Sequence, residues 1–210
     1  MSFTLSSSEL NTQLQILSKV INSKNSISIL ECFLFEVAEG KITITASDSE
    51  TVMTSTINIE DNDIEGRFAI PSRTILDAMR ELPEQPLTFD IDTLDYSVKV
   101  LYQNGMYSFN ALNADEYPQV QPISEGACVI TLDANVLSSN ISRSLFATAQ
   151  DELRPVMNGI YFDLTPESLA IVASDGHKLV RNRNYSVKSD TPATFILQKK
   201  PAPLLKTVLS

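Results

Sequence analysis

Cysteine and histidine are scarce in this sequence, and long apolar runs are missing. Its 210 residues include two cysteines and one histidine, which match no zinc-site spacing. Cys32 and Cys128 each lie in an apolar, strand-like segment, so we interpret both as buried thiols rather than as a disulfide or metal pair. No run of about 18 apolar residues occurs, which argues against a membrane-spanning helix. Because the start does not resemble a signal peptide, we expect a cytoplasmic protein without a membrane partner.

Positive charge is also in short supply. The chain has 16 Lys and Arg against 26 Asp and Glu, a formal net charge of −10. Such a balance argues against a protein that is coated in nucleic acid. Hydrophobic residues make up 43 % of the sequence, which allows a sizeable core without disulfides. Any nucleic-acid contact must therefore depend on where the few basic residues lie.

Motifs that carry catalysis or cofactor binding are missing. The sequence has no phosphate-binding loop and no dinucleotide fingerprint. Ser174, Asp175 and His177 supply the residue types of a catalytic triad, but neighbours in one turn cannot align in the order that a triad needs. The acidic segment 90–95 resembles part of a calcium loop without its glycine and distal glutamate. We therefore predict a non-catalytic protein without cofactor or metal; a hydrolase that uses His177 is the enzyme alternative.

An internal repeat with a constant offset and no gaps is the most informative feature that the sequence does contain. Segments of the first copy return 127 residues later. The matched pairs are Phe3-Thr4-Leu5 with Ile130-Thr131-Leu132, Ala46-Ser47-Asp48 with Ala173-Ser174-Asp175, and Phe68-Ala69-Ile70 with Phe195-Ile196-Leu197. A unit of ~120–130 residues is too long for a solenoid repeat and suits a whole domain. We therefore predict a first domain over 1–120, a linker over 121–126 and a second, incomplete domain over 127–210.

Local patterns predict the same order of elements in both copies. In the first copy, a helix capped by Ser7 or Ser8 carries apolar residues at four- and three-residue spacing, and Pro71-Ser72 starts a second helix. Short alternating segments predict mostly antiparallel strands, including one over 127–132 that opens the second copy. The predicted fold class is α+β with tandem repeated domains, in which the helices cover one face of the sheet.

The basic residues of all four predicted helices lie away from their apolar stripes. This arrangement predicts a local positive surface on an otherwise negative body. No aromatic residues interleave with these charges, and no helix carries the residue cluster expected of base readout. A nucleic-acid partner would therefore be held by its phosphates, independently of sequence. The residues concerned are Lys19, Arg73, Arg80, Arg143, Lys200 and Lys206.

Tandem α+β units, basic helix faces and the missing catalytic set together resemble the bacterial sliding clamps, the beta subunits of the replicative DNA polymerase. The resemblance covers the whole chain without a large gap. The segments that carry it are Ser28-Ile29-Leu30, Ile70-Pro71-Ser72-Arg73, Leu82-Pro83, Ala114-Asp115-Glu116-Tyr117-Pro118, Asn158-Gly159-Ile160-Tyr161-Phe162 and Ala173-Ser174-Asp175-Gly176-His177-Lys178-Leu179.

The resemblance implies the DNA-clamp (processivity) fold, a ring with helices lining the inner face and antiparallel sheets outside. Two protomers of three units each form this ring as a homodimer, and DNA passes through the hole. The third domain is absent from this chain, so we expect the 210 residues alone not to close a ring. The implied function is to encircle duplex DNA and to tether the polymerase for processive synthesis. The implied partners are double-stranded DNA, the replicative polymerase, the clamp loader and repair proteins that dock through a clamp-binding motif.

The resemblance also implies site residues. The expected DNA-binding residues are Lys24, Arg73, Arg80, Arg143, Arg154, Lys199 and Lys200. Of these, Arg143 is expected from the helix pattern alone, and the resemblance implies the others. The expected part of a groove for polymerase and loader peptides consists of Met157, Ser174, Gly176, His177, Lys178 and Leu179. The expected edge strand at the dimer contact carries Tyr107, Phe109 and Leu112. Without the resemblance, the sequence also fits an acidic tandem-domain adaptor that has no topological role on DNA.

Overall fold

A computed structural model describes residues 1–22, 27–59, 65–119, 124–150 and 153–209. The chain folds as two compact units, which we call unit 1 (Met1–Gln121) and unit 2 (Pro122–Ser210). Within those described ranges, no helix is both long enough and apolar enough to cross a lipid bilayer.

Unit 1 contains two antiparallel sheets and a pair of α-helices among its described residues. The helices are α1 (Ser7–Leu17) and α2 (Ser72–Arg80). One sheet has the strand order β1-β6-β7-β8 and the other β4-β3-β2-β5-β9. The strands are β1 (Ser2–Ser6), β2 (Cys32–Ala38), β3 (Lys41–Ser47), β4 (Val52–Asn58), β5 (Gly66–Pro71), β6 (Pro86–Ile91), β7 (Ser97–Tyr102), β8 (Gly105–Asn110) and β9 (Leu112–Asn113).

The central strands of the five-stranded sheet of unit 1 pack against side chains on both faces. Phe35 of β2 stacks on Phe68 of β5 on one face, with ring centroids 5.4 Å apart. On the other face, Leu34 packs in a cluster with Ala114 and Tyr117. Ala114 and Tyr117 belong to a short segment after β9. This segment therefore covers the face opposite the Phe35–Phe68 pair, which we call the outer face of the sheet.

Unit 2 repeats the first part of unit 1 with the predicted offset. Helices α3 (Ala134–Ser144) and α4 (Pro201–Val208) flank one four-stranded sheet of order β12-β11-β10-β13. Its strands are β10 (Gly159–Leu164), β11 (Leu169–Ser174), β12 (Leu179–Asn184) and β13 (Ala193–Gln198). Adding 127 to the bounds of α1 gives those of α3, and the strand bounds agree within one residue. The α+β repeat that the sequence predicts is therefore confirmed.

Both copies keep the same packing as well as the same order. Phe162 stacks on Phe195 at 4.8 Å, which repeats the Phe35–Phe68 pair of unit 1. Phe162 also packs with Ile141 of α3 in one hydrophobic cluster. The helices therefore cover one face of the sheet in unit 2, as predicted.

The helix caps also correspond. The side chain of Ser6 accepts a hydrogen bond from the backbone N–H of Glu9 at 3.2 Å and caps α1. Asp133, 127 residues later, accepts from the N–H groups of Asn135 and Val136 and caps α3. Both side chains satisfy donors that a helix leaves unpaired in its first turn. The predicted cap at Ser7 or Ser8 is therefore wrong by one or two residues.

Two predictions for the start of unit 2 are wrong. The described part of segment 124–133 forms no strand, and Cys128 is exposed rather than buried. In unit 1 the matching strand β1 pairs with β6, whereas the described residues of unit 2 contain no strand in the place of β6. Because a strand needs a partner for its backbone groups, this segment adopts no regular structure.

Candidate functional site

The basic residues of the unit 1 helices lie on the side away from the core. Arg73 and Arg80 of α2 are exposed, whereas Ile75 and Met79 of the same helix are buried. The guanidinium of Arg80 lies 3.6 Å from the carboxylate of Asp77. Because more than two thirds of both side chains is exposed, this ion pair is weak and leaves Arg80 available to a phosphate.

A shallow polar cleft lies between α1 and α2. Its volume is about 390 Å³, and Asn11, Gln15, Lys19 and Arg80 line it together with the apolar Ile16 and Leu76. The two cationic and two amide side chains can bind the phosphates of a ligand, since amides and cations both donate hydrogen bonds to phosphate oxygens. The exposed face of this helix pair is therefore polar and basic.

Unit 2 presents basic residues on its helices in the same way. Arg143 of α3 and Lys206 of α4 are exposed, and Lys200 is exposed where α4 begins. Ile141, two residues from Arg143, packs against the sheet. Arg143 therefore lies on the side of α3 away from the sheet, as the helix pattern predicts.

Two of the expected DNA-binding residues differ from this pattern, and a third cannot be described. Lys199 is half-buried, and its Nζ donates to the backbone carbonyl of Ala149 at 3.0 Å. Arg154 donates from Nη1 to the carbonyl of Asp175 at 3.1 Å and lies 3.9 Å from the sulfur of Met157. Lys24 lies outside the described residues. Arg154 thus contacts the turn that belongs to the expected peptide groove.

That turn connects β11 to β12 and is closed by its own side chains. The carboxylate Oδ1 of Asp175 accepts from the backbone N–H groups of Lys178 at 2.7 Å and His177 at 2.9 Å. The hydroxyl of Ser174 accepts from Gly176 N–H at 3.1 Å and donates to the Lys178 carbonyl at 2.8 Å. The hydrogen bonds from Lys178 and His177 hold the pKa of Asp175 far below its usual range. The turn is thus preorganised before any ligand arrives.

Gly176 occupies a position that favours glycine. Its φ is +89°, which lies in the left-handed region. A Cβ atom there would also lie 3.2 Å from Nη1 of Arg154. The missing side chain therefore lets the Arg154 guanidinium lie against the turn.

Apolar side chains are exposed around the same turn. Leu179 is 70 % exposed, Val156 68 % and Phe146 62 %. Lys178 contacts both the turn and the chain at Phe146. Its Nζ lies 3.1 Å from the Asp175 carboxylate and 3.4 Å from the Phe146 carbonyl. Exposed apolar groups beside a fixed polar turn are typical of a binding surface.

The residues of the expected groove that lie in segment 174–179 are thus adjacent at one end of β11 and β12. Met157 joins them, since it and Gly176 both lie beside the Arg154 guanidinium. Phe146 and Val156 extend this surface, although the resemblance does not single them out. No local sequence pattern links them to the turn, because both precede it by 18 residues or more.

Unit 1 contains the same turn in a covered form. Asp48 accepts from the N–H groups of Glu50 at 3.1 Å and Thr51 at 2.8 Å, and Ser49 has a φ of 80°. In unit 1, however, Tyr117 is 2 % exposed and packs on the outer face of the sheet. On the matching face of unit 2, Tyr161 is 37 % exposed. The outer face is therefore filled from within unit 1 but open in the described part of unit 2.

Two of the three residues expected on one edge strand lie together on β8, and the third lies on a different strand, which corrects the prediction for that residue. Tyr107 and Phe109 lie on β8, at the edge of the four-stranded sheet of unit 1. Leu112 lies on β9, at the edge of the five-stranded sheet, where it pairs with Ala69. Residue 111 breaks the strand, so the chain passes from one sheet to the other between Phe109 and Leu112.

Comparison with known proteins agrees with this architecture. Residues 1–121 match the family described as DNA polymerase III beta subunit, N-terminal domain, and residues 131–210 match its central domain. The chain belongs to the DNA polymerase III beta subunit family. Two successive domains of that family thus account for the two copies of the repeat.

Relatives in this family are named beta sliding clamp. One from Pseudomonas putida is 26 % identical over 179 residues, which cover 85 % of this chain and 48 % of the relative. One from Bacillus subtilis is 24 % identical over 217 residues, which cover 100 % of this chain and 57 % of the relative. The chain therefore spans about half the length of the curated relatives that it matches.

Solved beta-subunit structures share the fold. The Thermotoga maritima beta subunit is 28 % identical with a TM-score of 0.84, covering 99 % of this chain and 56 % of that one. The Pseudomonas aeruginosa beta subunit is 23 % identical with a TM-score of 0.91, covering 100 % of this chain and 57 % of that one. This agreement confirms the clamp fold with repeated domains.

Proposed function

We propose that this chain supplies two of the units of a ring that encircles duplex DNA and tethers the replicative polymerase. One observation carries the proposal: exposed basic residues recur on the helices of both copies of the repeat, in a chain with a net charge of −10. In the complete protein, three units per protomer and two protomers close the ring. The names of the relatives, which cover this chain but extend beyond it, support the same function.

The basic helix residues hold DNA through its phosphates. Their side chains carry charge without a base-reading pattern, so the contact is independent of sequence and sensitive to salt. Weak contacts suffice because a closed ring keeps the DNA by topology, and weak contacts also permit sliding. Arg73, Arg80 and Arg143 are exposed on their helices and contribute most. Lys199 contributes less, because its ammonium group is engaged by the Ala149 carbonyl.

The turn between β11 and β12 forms part of a groove for peptides of the polymerase, the clamp loader and repair proteins. Leu179 and Met157 receive apolar anchors, and Gly176 leaves room for the Arg154 guanidinium beside the turn. Arg154 is a positioning residue in this proposal, because its guanidinium supports the carbonyl of Asp175 from behind the turn. A Pseudomonas aeruginosa sliding clamp bound to griselimycin supports ligand binding by this fold.

The edge of β8 contributes the dimer contact. Its outer backbone groups have no strand partner among the described residues. Tyr107 and Phe109 supply apolar area beside this edge, and pairing with a third unit of the partner protomer would remove it.

The protein acts without catalysis, as a cytoplasmic replication factor. Ser174 and Asp175 are both used by the backbone of their own turn. His177 therefore lacks an oriented nucleophile and an available carboxylate, which a hydrolase would need.

The decisive experiment compares retention on DNA of different topology. The longest natural form of the protein is loaded by its cognate loader onto a nicked circle, and half of the sample is then linearised at moderate salt. Retention on the circle that is lost on cutting is expected for a ring. Equal retention on both forms would contradict encirclement, and no retention with an active loader would favour the acidic adaptor.

A charge-matched pair of variants tests the DNA-binding residues. The first replaces Arg73, Arg80 and Arg143 with Gln; the control replaces Lys41, Lys99 and Lys188, which are exposed but lie off the helices. Removal of three phosphate contacts should reduce the slope of log affinity against log salt by about 2.7. The control should keep the wild-type slope. Equal slopes for the two variants would refute these DNA contacts.

A further inference from the structure

Two arginines on β12 form a basic row that the sites described so far do not use. Arg181 and Arg183 are both exposed and alternate with the half-buried Asn182. Because side chains on a strand alternate between faces, the two guanidinium groups extend from one face of the sheet. Within the described residues, neither guanidinium group takes part in a hydrogen bond or an ion pair. The basic pattern of the helices does not include them, because they lie on a strand.

The fold itself does not require these charges. The residues 127 positions earlier are Thr54 and Thr56 on β4, which are also exposed. Unit 1 has a segment that covers part of the same face, packed around Tyr117, and both threonines stay exposed beside it. A similar cover over unit 2 would therefore leave both arginines accessible.

The arginine row lies on the opposite side of its sheet from the helix α3. Asn182 points towards α3, since its side chain donates to the hydroxyl of Ser144 at 3.3 Å. Arg181 and Arg183 must then point away from α3 and from Arg143 on its far side. DNA held by Arg143 cannot reach these two arginines at the same time.

The row is continuous with the proposed peptide groove. Leu179 lies on the same strand and the same face, two residues before Arg181 and four before Arg183. At about 3.3 Å per residue, the two arginines follow Leu179 by roughly 7 and 13 Å. A peptide that inserts an apolar anchor beside Leu179 and continues in an extended conformation would therefore pass both guanidinium groups.

Among the carboxylates of the described residues, none forms an ion pair with the row. Asp175 is already engaged by Lys178 and by its own turn. Asp163 is half-buried and lies two strands away, since Arg183 pairs with Ala170 and Ala170 with Asp163. That separation is roughly 10 Å. An arginine presents a planar fork of donors that matches a carboxylate, so an incoming acidic side chain is the fitting ligand.

We propose that Arg181 and Arg183 bind acidic residues that flank the apolar anchor of a docking peptide, at about two and four residues from that anchor. The inference rests on the proposed groove and adds the charge of the partner to it. The chain would thus select, among peptides with similar apolar anchors, those with an acidic flank.

The test uses two fluorescein-labelled ten-residue peptides with the longest natural form of the protein. Both contain a Leu-Phe anchor; one has Asp two and four residues away on each side, and the other has Asn at the same positions. Affinity is measured by fluorescence anisotropy at 50 and 300 mM salt. The wild-type protein should bind the acidic peptide about fivefold more tightly at 50 mM, and the ratio should shrink at 300 mM.

Three variants assign the result. In R181T/R183T, which restores the residues of the first copy, the ratio between the two peptides should fall to about one. In K41T/K99T, which removes the same charge from unit 1, the ratio should stay at the wild-type value. L179A should weaken both peptides equally and leave the ratio unchanged. Thermal unfolding of each variant establishes that the fold is intact.

Several outcomes would overturn the inference. A ratio near one in the wild-type protein, or a ratio that survives in R181T/R183T, would refute the role of the arginines. If L179A still weakens the neutral peptide in that case, the groove itself stands. If neither peptide binds, both the groove and the acidic selection fail. Loss of DNA retention in R181T/R183T with an unchanged peptide ratio would assign the arginines to DNA instead.

Discussion

Replacement of Gly176 with Ala should destabilise unit 2 by roughly 1–2 kcal/mol. The residue has a φ of +89°, and an L-residue in the left-handed region costs roughly 1–2 kcal/mol. The new Cβ would lie 3.2 Å from Nη1 of Arg154, and a flexible guanidinium can move away. Its movement would weaken the 3.1 Å hydrogen bond to the Asp175 carbonyl, at a further cost of about 0.5–1.5 kcal/mol. The reduced freedom of the unfolded chain offsets about 0.4–1 kcal/mol of this loss.

The first copy of the repeat allows the reverse substitution at the equivalent position as a control. Ser49 occupies the same position of the same turn with a φ of 80°. Its replacement with Gly relieves the strain of a left-handed serine but costs roughly 0.5–1 kcal/mol of backbone entropy. The relief of roughly 1–2 kcal/mol exceeds the entropy cost, so Ser49→Gly should stabilise the protein by about 0.5–1 kcal/mol.

Urea unfolding and thermal unfolding measure both changes. For a unit of this size, about 1 kcal/mol corresponds to a shift in Tm of roughly 4–8 °C. Repeating Gly176→Ala in an Arg154→Ala background separates backbone strain from the lost hydrogen bond, because the guanidinium is then absent. The reasoning is refuted if Gly176→Ala is as stable as the wild type, or if Ser49→Gly destabilises the protein as much as Gly176→Ala does.

Two further predictions concern the thiols and a buried serine. Burial raises the pKa of Cys32 to about 11, so its thiol stays protonated at pH 8 and becomes a thiolate only as the pH approaches 11. A thiol reagent at pH 8 should therefore label only Cys128 rapidly. The Cys128→Ser variant should lose this rapid labelling. Rapid labelling that persists in that variant would contradict the burial of Cys32. Ser7 donates to the Pro83 carbonyl at 2.8 Å and accepts from Gln85 N–H at 2.9 Å. Ser7→Ala leaves the Gln85 N–H unpaired and the Pro83 carbonyl with only the 3.4 Å hydrogen bond from Gln85 Nε2, so it should cost about 1–3 kcal/mol in urea unfolding. The exposed neighbour change Ser8→Ala is the control, and equal effects of the two changes would argue against this buried network.

Much of the fold can be predicted from the sequence because both copies of the repeat show the same local residue patterns. Helical spacing and strand alternation recur at an offset of 127, and the α3 bounds follow from those of α1. Stacked pairs such as Phe35–Phe68 and Phe162–Phe195 recur at the same offset. Features that each copy encodes within its own segment are therefore recoverable from the sequence alone.

Features that depend on a distant partner are harder to predict. Segment 127–132 has the composition of a strand, yet a strand also requires a neighbour to which its backbone can bond. Cys128 shares that segment, and its expected burial fails for the same reason. Leu112 follows β8 so closely that sequence spacing cannot reveal the change of sheet.

The candidate site shows the same division. The Ser174–Lys178 turn is a local structure, and its hydrogen bonds follow from residue types two and three positions apart. The contact of Arg154 with Asp175 spans 21 residues, and no local pattern encodes it. The covering role of Tyr117 is also a tertiary contact, although the resemblance singles out its segment.

The pairing of β1 with β6 has a consequence for synthesis on the ribosome. Ser2 pairs with Asp90 and Ser6 with Pro86, whereas β2, β3 and β4 pair with neighbours along the chain. At about 5–20 residues per second, the first strand waits roughly 4–17 s before its partner has emerged. During that interval Phe3 and Leu5 have no β6 strand to join, so the nascent β1 segment presents an apolar strand that chaperones can recognise. Translation speed over the codons for residues 6–90 thus sets how long this segment is exposed to aggregation.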